Sequence, residues 1–282
     1  MKDTLFSAFQ YLTPQHLLSR AAGCLAESTN QRFKNFFINR FINHYDVDMS
    51  QAVRKTADEF TCFNDFFTRE LVADARPFSD AENQIISPAD GAISQLGPID
   101  NGRIVQAKNQ WFTLGELLGG QHDLATQFSG GSFATIYLSP KDYHRVHMPI
   151  AGKLTSMIHI PGDLFSVNQA TANKVPRLFA RNERLVCIFD TAIGPVAVIL
   201  VGAMIVASIE TVWAGLVTPQ KKNIRSWQYT NTDEIVLNKG DEMGRFKLGS
   251  TVVLLFPKNT VNFEQECVAE AKIQMGENLA TI

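Results

Sequence analysis

Apolar positions in the first 45 residues recur at helical spacing. Leu5, Phe6, Phe9, Tyr11 and Leu12 form one cluster, and Leu17, Leu18, Ala21 and Leu25 share one face of the segment that follows. Thr13-Pro14 predicts the start of that second helix, with Thr13 as its cap and Pro14 at the first helical position. Asn30 predicts the cap of a third, in which Phe33, Phe36, Phe37, Phe41 and Ile42 repeat at helical intervals. Phe60, Phe63, Phe66, Phe67 and Leu71 suggest a further helical patch over residues 50–72. From about residue 84 the pattern changes to short β-rich runs. Ser132–Leu138, Leu154–Ile160, Arg184–Phe189, Val196–Val201 and Thr251–Phe256 predict strands. Asn101-Gly102 predicts a hairpin between Ile99 and Arg103–Val105, and Asp90-Gly91 predicts a turn. The fold class expected is α+β, with a helical region over 1–72 followed by a β-rich, sandwich- or barrel-like domain over 73–282.

Thr191–Ile209 contains no charged residue and is long enough to cross a membrane as a helix. Gly194-Pro195 breaks it near its start and Gly202 divides the rest. Val196, Val198, Ile199, Val201, Ile205 and Val206 are β-branched, so two buried strands are expected instead.

Hydrophobic residues make up 45% of the 282 and charged residues 19%, enough to bury a sizeable core. A net charge of −2 implies no nucleic-acid partner, but residues 1–44 carry a net +3. Arg32, Lys34 and Arg40 flank the phenylalanine stripe of the third helix, a composition that suits an interfacial helix on anionic lipid as well as a packed core helix. Four cysteines, none paired at metal spacing, suit a reducing compartment. The interrupted N-terminal pattern is not that of a secretory signal.

Three segments carry candidate chemistry. Gly249-Ser250 sits at the mouth of the apolar strand Thr251–Phe256. Asp142-Tyr143-His144-Arg145-Val146-His147-Met148-Pro149 places two histidines three apart, on one face if the segment is helical. No Cys, Asp or Glu cluster joins them, so no metal is expected. Ser87-Pro88-Ala89-Asp90-Gly91 places an acid in a turn. Together they allow an Asp90–His147–Ser250 triad. The G-x-S-x-G elbow of hydrolases is absent around Ser250. The residues alone stop at a candidate serine nucleophile.

The same segments, with Pro161–Asn168, Asn182-Glu183-Arg184 and Val201-Gly202-Ala203, resemble in order the motifs of phosphatidylserine decarboxylase proenzymes, from about Leu12 to the last strand. That resemblance implies self-cleavage between Gly249 and Ser250 into a 1–249 β chain and a 250–282 α chain, held as a heterodimer that can itself dimerise. It implies Asp90, His147 and Ser250 as the cleavage triad, and Ser250 as the source of a pyruvoyl cofactor. The pyruvoyl forms a Schiff base with the amine of phosphatidylserine and accepts electrons as CO2 leaves. His144 is the candidate proton donor at that stage, or a support for His147. Phe165 and Ser166 are candidates for binding the substrate head group. The resemblance further implies a peripheral enzyme on the cytoplasmic face of the plasma (inner) membrane, docked by 1–72 on anionic lipid. A serine hydrolase using the same triad, or a noncatalytic lipid-binding module, are the alternatives from other classes.

Overall fold

The structure, a computed structural model, describes residues 10–282 except Leu12, 205–207, 219–222, Asn231, Asp233, Leu248 and Gly249. Leu5, Phe6, Phe9 and Leu12 of the first apolar cluster therefore lie outside the described residues, as do Ile205, Val206 and Gly249.

Two helices dominate the N-terminal region, α1 (Gln15–Ala26) and α2 (Gln31–Tyr45). Asn30 caps α2 as expected, its Oδ1 accepting from Phe33 N at 3.1 Å. Pro14 occupies the N-cap of α1 rather than its first turn. Residues 50–72 do not form a continuous helix. They contain a 3₁₀ turn at Ala57–Glu59 and one short helix, α3 (Phe63–Phe67). Glu59 accepts from the Lys55 and Thr56 amides, and Asp65 accepts from Thr61 N while bridging to Arg54. These side-chain bonds compete with helix formation and fold the chain into turns. The phenylalanine spacing reflects packing, with Phe60, Phe63, Phe66 and Phe67 converging on Ile38, Ala26 and Val47 in one small core.

Nine strands carry the rest of the argument: β1 (Gly91–Pro98), β2 (Ser132–Leu138), β3 (Arg145–His147), β4 (Gly152–Ile160), β5 (Arg184–Thr191), β6 (Gly194–Val201), β7 (Ser208–Thr211), β8 (Glu242–Lys247) and β9 (Ser250–Phe256). All five predicted strands are present within β2, β4, β5, β6 and β9. The Asn101-Gly102 hairpin is present too, both residues having positive φ (49° and 70°). The main sheet is antiparallel and runs Arg225–Gln228, β4, β5, β6, β9, β2, β1, Lys272–Ile273, with Val236–Leu237 also pairing with β4. The class is α+β.

Both faces of this sheet are covered. Val252, Leu254 and Phe256 of β9 enter one core layer, and Val253 and Leu255 the other. β6 divides in the same way, with Val196, Val198 and Leu200 opposite Ala197, Ile199 and Val201. A strand buried on both sides needs no polar alternation, which is why this stretch is continuously apolar. Among its described residues the uncharged run is thus the last residue of β5, a turn at 192–193 leading into Gly194 (φ 90°), all of β6, and, past Gly202, the start of β7. No described helix is long and apolar enough to cross a membrane.

A second, four-stranded sheet runs Gly215–Leu216, β7, β8, β3. The segment bearing the two histidines is extended here, not helical, so helical adjacency of His144 and His147 does not apply. Only Leu248 and Gly249 separate β8 from β9, which places Ser250 where the chain leaves the small sheet for the centre of the large one.

Candidate active site

Ser250 is the first residue of β9 and pairs with Leu138 of β2. Pairing with β6 begins one residue later, at Thr251 and Val201. Ser250 is 0% exposed, and its Oγ has no hydrogen-bond partner among the described residues. An unpaired buried hydroxyl costs about 1–3 kcal/mol. The start of the strand therefore holds a buried hydroxyl that is not committed to any hydrogen bond among the described residues. Thr251 Oγ1 and His144 Nε2 are also buried and unpaired.

His144 is fully buried against the Phe67 ring, with centroids 4.0 Å apart. Its Nδ1 lies 2.8 Å from the Asp142 carbonyl, which can only accept. The proton therefore sits on Nδ1, and Nε2 presents a free lone pair. Burial, aided by the positive charge of Arg69, pulls the imidazole down to about 3, so the neutral form prevails. His147 lies on β3 with both ring nitrogens engaged. Nδ1 donates to the Gly240 carbonyl at 2.8 Å, and Tyr143 Oη donates to Nε2 at 3.1 Å. Burial also lowers the basicity of His147, against the Gly240 bond and the negative charges of Glu242 and Asp90. The Tyr143 phenol is pushed up, chiefly by burial.

Asp90 stands beside this group because the His147 amide donates to the Pro88 carbonyl at 2.8 Å. Its carboxylate is gripped by Arg76 and also accepts from Met275 N at 2.9 Å. Its influence on His147 is electrostatic, since the carbonyl of Gly240 supplies the orienting hydrogen bond. Gly91, expected to serve a turn, serves a close approach. A Cβ there would lie 2.2 Å from the Tyr137 carbonyl oxygen.

Phe165 and Ser166 lie where α1 meets the sheet. Phe165 is 2% exposed, with the Tyr11 ring 4.9 Å away and the Arg181 guanidinium 4.7 Å from its centroid. Asn182 clips this loop: Nδ2 donates to Phe165 O and Gly202 O, and Oδ1 accepts from Phe165 N. The Ser166 amide donates to Gln10 Oε1 at 2.8 Å. Two clefts flank α1. One, of about 900 Å³, lies along the Pro161–Phe165 loop, and the other, of about 610 Å³, reaches Lys247 at the end of β8.

Sequence patterning missed Arg76, which holds Asp90, because nothing in its local pattern marks it. Tyr143 was in view beside the histidines, but its bond to His147 depends on the extended conformation. Arg69 was missed as well. It is 4% exposed beside His144, and only its Nη2 is hydrogen-bonded among the described residues, to Lys141 O.

Comparison with known proteins is consistent along the chain. The profile of the family described as phosphatidylserine decarboxylase matches residues 63–281, and a second profile, described as PSD, matches residues 5–46. A phosphatidylserine decarboxylase proenzyme of Bordetella avium (strain 197N) is 59% identical over 280 residues, covering 99% of this chain and 95% of that protein. Proteins of the same name from Pseudomonas fluorescens (strain SBW25) and Saccharophagus degradans (strain 2-40) are 57% and 55% identical over 282 residues, covering 99% and 100% of this chain and 99% of each relative.

Proposed function

We propose, from the premise that the chain belongs to the phosphatidylserine decarboxylase family, that it is made as a proenzyme and cuts itself between Gly249 and Ser250. The enzyme is a carboxy-lyase that converts phosphatidylserine to phosphatidylethanolamine. The observation that carries the self-processing reading is the fully buried Ser250 Oγ, unpaired at the first residue of a central strand and preceded by glycine.

In the proposed sequence His147 accepts the Ser250 hydroxyl proton once its Nε2 exchanges Tyr143 for Ser250, and Asp90 favours the imidazolium through space. Oγ bonds to the Gly249 carbonyl carbon, the C–N bond breaks, and the proton passes to the new amine. Loss of the Ser250 α-proton then expels the Gly249 carboxylate and leaves dehydroalanine. Hydrolysis releases ammonia and leaves a pyruvoyl group at the head of 250–282. A buried, unpaired Oγ suits such a group, because no hydrogen bond has to be broken for it to form. Once present, it supplies a carbonyl that captures the substrate amine and an electron sink for the departing CO2. The chain's own contribution at that stage is His144: its free Nε2, with Nδ1 directed at the Asp142 carbonyl, takes the proton that the substrate ammonium gives up as it condenses and delivers it to the α-carbon once CO2 has left.

The chain is further read as docking on a membrane surface through α1 and α2. α1 is inverted relative to a core helix. Its polar residues Gln15 and Ser19 are 8% and 2% exposed, while Leu17, Leu18 and Leu25 are 66%, 45% and 57% exposed. Phe36 of α2 is 70% exposed. An apolar face turned outward beside a lipid enzyme's site suits the interfacial zone of a bilayer. Acyl chains leave that bilayer only at about 0.8 kcal/mol per CH2.

Denaturing mass spectrometry tests the processing step. The native chain should yield 1–249 and a 250–282 fragment with a blocked N-terminus, and Ser250→Ala only the full-length chain. Two fragments from Ser250→Ala would overturn the proposal.

A further inference from the structure

His147 makes two side-chain hydrogen bonds, and only one of them serves its role as a base. Its Nδ1 donates to the Gly240 carbonyl at 2.8 Å. That acceptor is fixed independently of the histidine ring. Gly240 lies in a turn where the Asn238 amide donates to Asp241 Oδ2 at 2.7 Å, and its own amide donates to Met148 O at 2.9 Å. The Gly240 bond alone sets the tautomer and the ring orientation, and it leaves the lone pair on Nε2.

The second bond occupies that lone pair. Tyr143 Oη donates to Nε2 at 3.1 Å, with the two ring centroids 5.6 Å apart. A neutral imidazole has one acceptor nitrogen with one lone pair, so it cannot accept from Tyr143 and take a proton from Ser250 at once. Tyr143 is 6% exposed, and burial holds its phenol above the ordinary range, so the hydroxyl stays protonated and remains a donor. Ser250 Oγ, meanwhile, is buried with no partner among the described residues. A nucleophile without an acceptor beside a base without a free lone pair is a site held at rest.

The contact can be exchanged without moving the main chain. The backbone around Tyr143 is pinned on both sides. Asp142 Oδ2 accepts from Ser139 N at 2.6 Å in the turn before it, and Phe246 N of β8 donates to the His144 carbonyl at 3.0 Å just after it. The hydroxyl has no hydrogen bond but the one to His147 among the described residues. A shift of about 1 Å at the end of the side chain breaks that bond. Glu242 and Asp90 both act on the phenol through space, so acceptors stand near for it once it leaves Nε2.

We propose that Tyr143 is a latch on self-processing: its hydroxyl occupies the His147 lone pair that Ser250 needs, and cleavage at Gly249–Ser250 waits on its release. This rests on the reading of His147 as the base toward Ser250 and adds what keeps that base idle. A chain cut before β9 had paired with β6 and β2 would lose 250–282, so a restrained base favours assembly before cleavage.

The full chain made by cell-free translation allows cleavage to be timed on gels from the uncut state. Tyr143→Phe removes the hydroxyl and keeps the ring. It should cut faster than the native chain by about 2- to 10-fold, the factor carried by one neutral hydrogen bond. A tyrosine that only packs, or that orients His147, predicts an unchanged or slower cut, and either result overturns the proposal. Should Tyr143→Phe fold poorly, 3-fluorotyrosine at position 143 supplies a stronger donor in nearly the same volume. That chain should cut more slowly than the native one, and an equal or faster cut overturns the proposal. The contact itself is read without cleavage in the Ser250→Ala chain, where adding Tyr143→Phe should move the ¹⁵N resonance of His147 Nε2. An unmoved resonance also overturns the latch. A native chain that never cuts overturns the processing reading and the latch with it, whereas a native chain that cuts as fast as Tyr143→Phe overturns the latch alone.

Discussion

Arg76 holds both carboxylate oxygens of Asp90, Nε donating to Oδ1 at 2.8 Å and Nη2 to Oδ2. The side chains are 11% and 9% exposed, and Gln51 steadies the guanidinium from the helical region. Removing one member of a buried pair costs about 3–5 kcal/mol, because the other charge is left uncompensated. Arg76→Ala should therefore lower the melting temperature and slow self-processing. Arg76→Lys keeps the charge but not the fork and should fall between it and the native chain. Gel time courses of cleavage, run beside thermal melts, check the order. Unaltered cleavage in Arg76→Ala would show that Asp90 needs no such grip.

His144 and His147 divide the work in the proposed scheme, so their substitutions should have different outcomes. His144→Ala should still yield two fragments but lose most decarboxylation, whereas His147→Ala should remain uncut. Mass spectrometry and CO2 release, measured on the same preparations, separate the two. An uncut His144→Ala chain would move His144 into the processing step.

Acid should destabilise the protein through His144. Its folded pKa of about 3 lies below the unfolded value of about 6.5, so between those limits the unfolded chain binds a proton that the folded chain refuses. The contribution is complete above about pH 6.5 and is lost as pH falls toward 3. His147, lowered in the same direction, adds to the effect. Unfolding free energy, followed by denaturant titration from pH 7 to 4, should decline more steeply in the native chain than in His144→Gln. Equal slopes would contradict the assignment of a neutral, buried His144.

The strands were legible because apolar runs of five to eight residues bounded by turn residues have few alternatives. The Thr191–Ile209 stretch was legible for a related reason: β-branched residues and Gly194-Pro195 oppose a helix whatever the hydropathy. What the sequence withheld was direction and partnership. Leu17, Leu18, Ala21 and Leu25 do share a face, but whether that face meets protein or solvent depends on what Gln15 and Gln10 bind across the chain. Lys34 looked like a lipid-facing cation, yet its Nζ is buried on the Ala57 carbonyl at 2.9 Å. Phe41, one member of the phenylalanine stripe that suited either lipid or core, packs on Phe63, Phe66 and Phe67. Asp90, His144, His147 and Ser250 stood out only together with their motifs. Arg76 could not, because its role depends on a contact between distant segments.

These placements change how membrane docking should be tested. Deleting residues 1–44 would strip Ile38 and Phe41 from the small core, so loss of function would be ambiguous. Substituting Leu17, Leu18, Leu25 and Phe36 with Gln changes exposed positions and should leave self-processing intact. The variant should no longer float with anionic vesicles. With Lys34 sequestered, salt should weaken native binding only modestly. Undiminished flotation of the substituted chain would place the docking surface elsewhere.

Gly91→Ala should be more damaging than a turn substitution. The added methyl group meets the Tyr137 carbonyl at 2.2 Å, so β1 must move away from β2 and carry the neighbouring Asp90 with it. Overpacking of this kind costs about 1–3 kcal/mol or more. Melting and cleavage should fall together. A normal cleavage rate would mean that the Asp90 position is tolerant.

β9 lies in the middle of the main sheet, bonded to β6 on one side and β2 on the other, and Asn278–Thr281 closes back on Gln84–Ile86. If cleavage opens the bond before Ser250, the short chain stays woven between strands of the long one and cannot be drawn out without dismantling the sheet. A catalyst bound that way cannot be reloaded as a diffusible coenzyme is. On that reading each polypeptide would be equipped once, and chemical damage to its reactive carbonyl would retire the whole molecule. The cell would then set its decarboxylating capacity by protein synthesis and degradation, with no dependence on the supply of a vitamin.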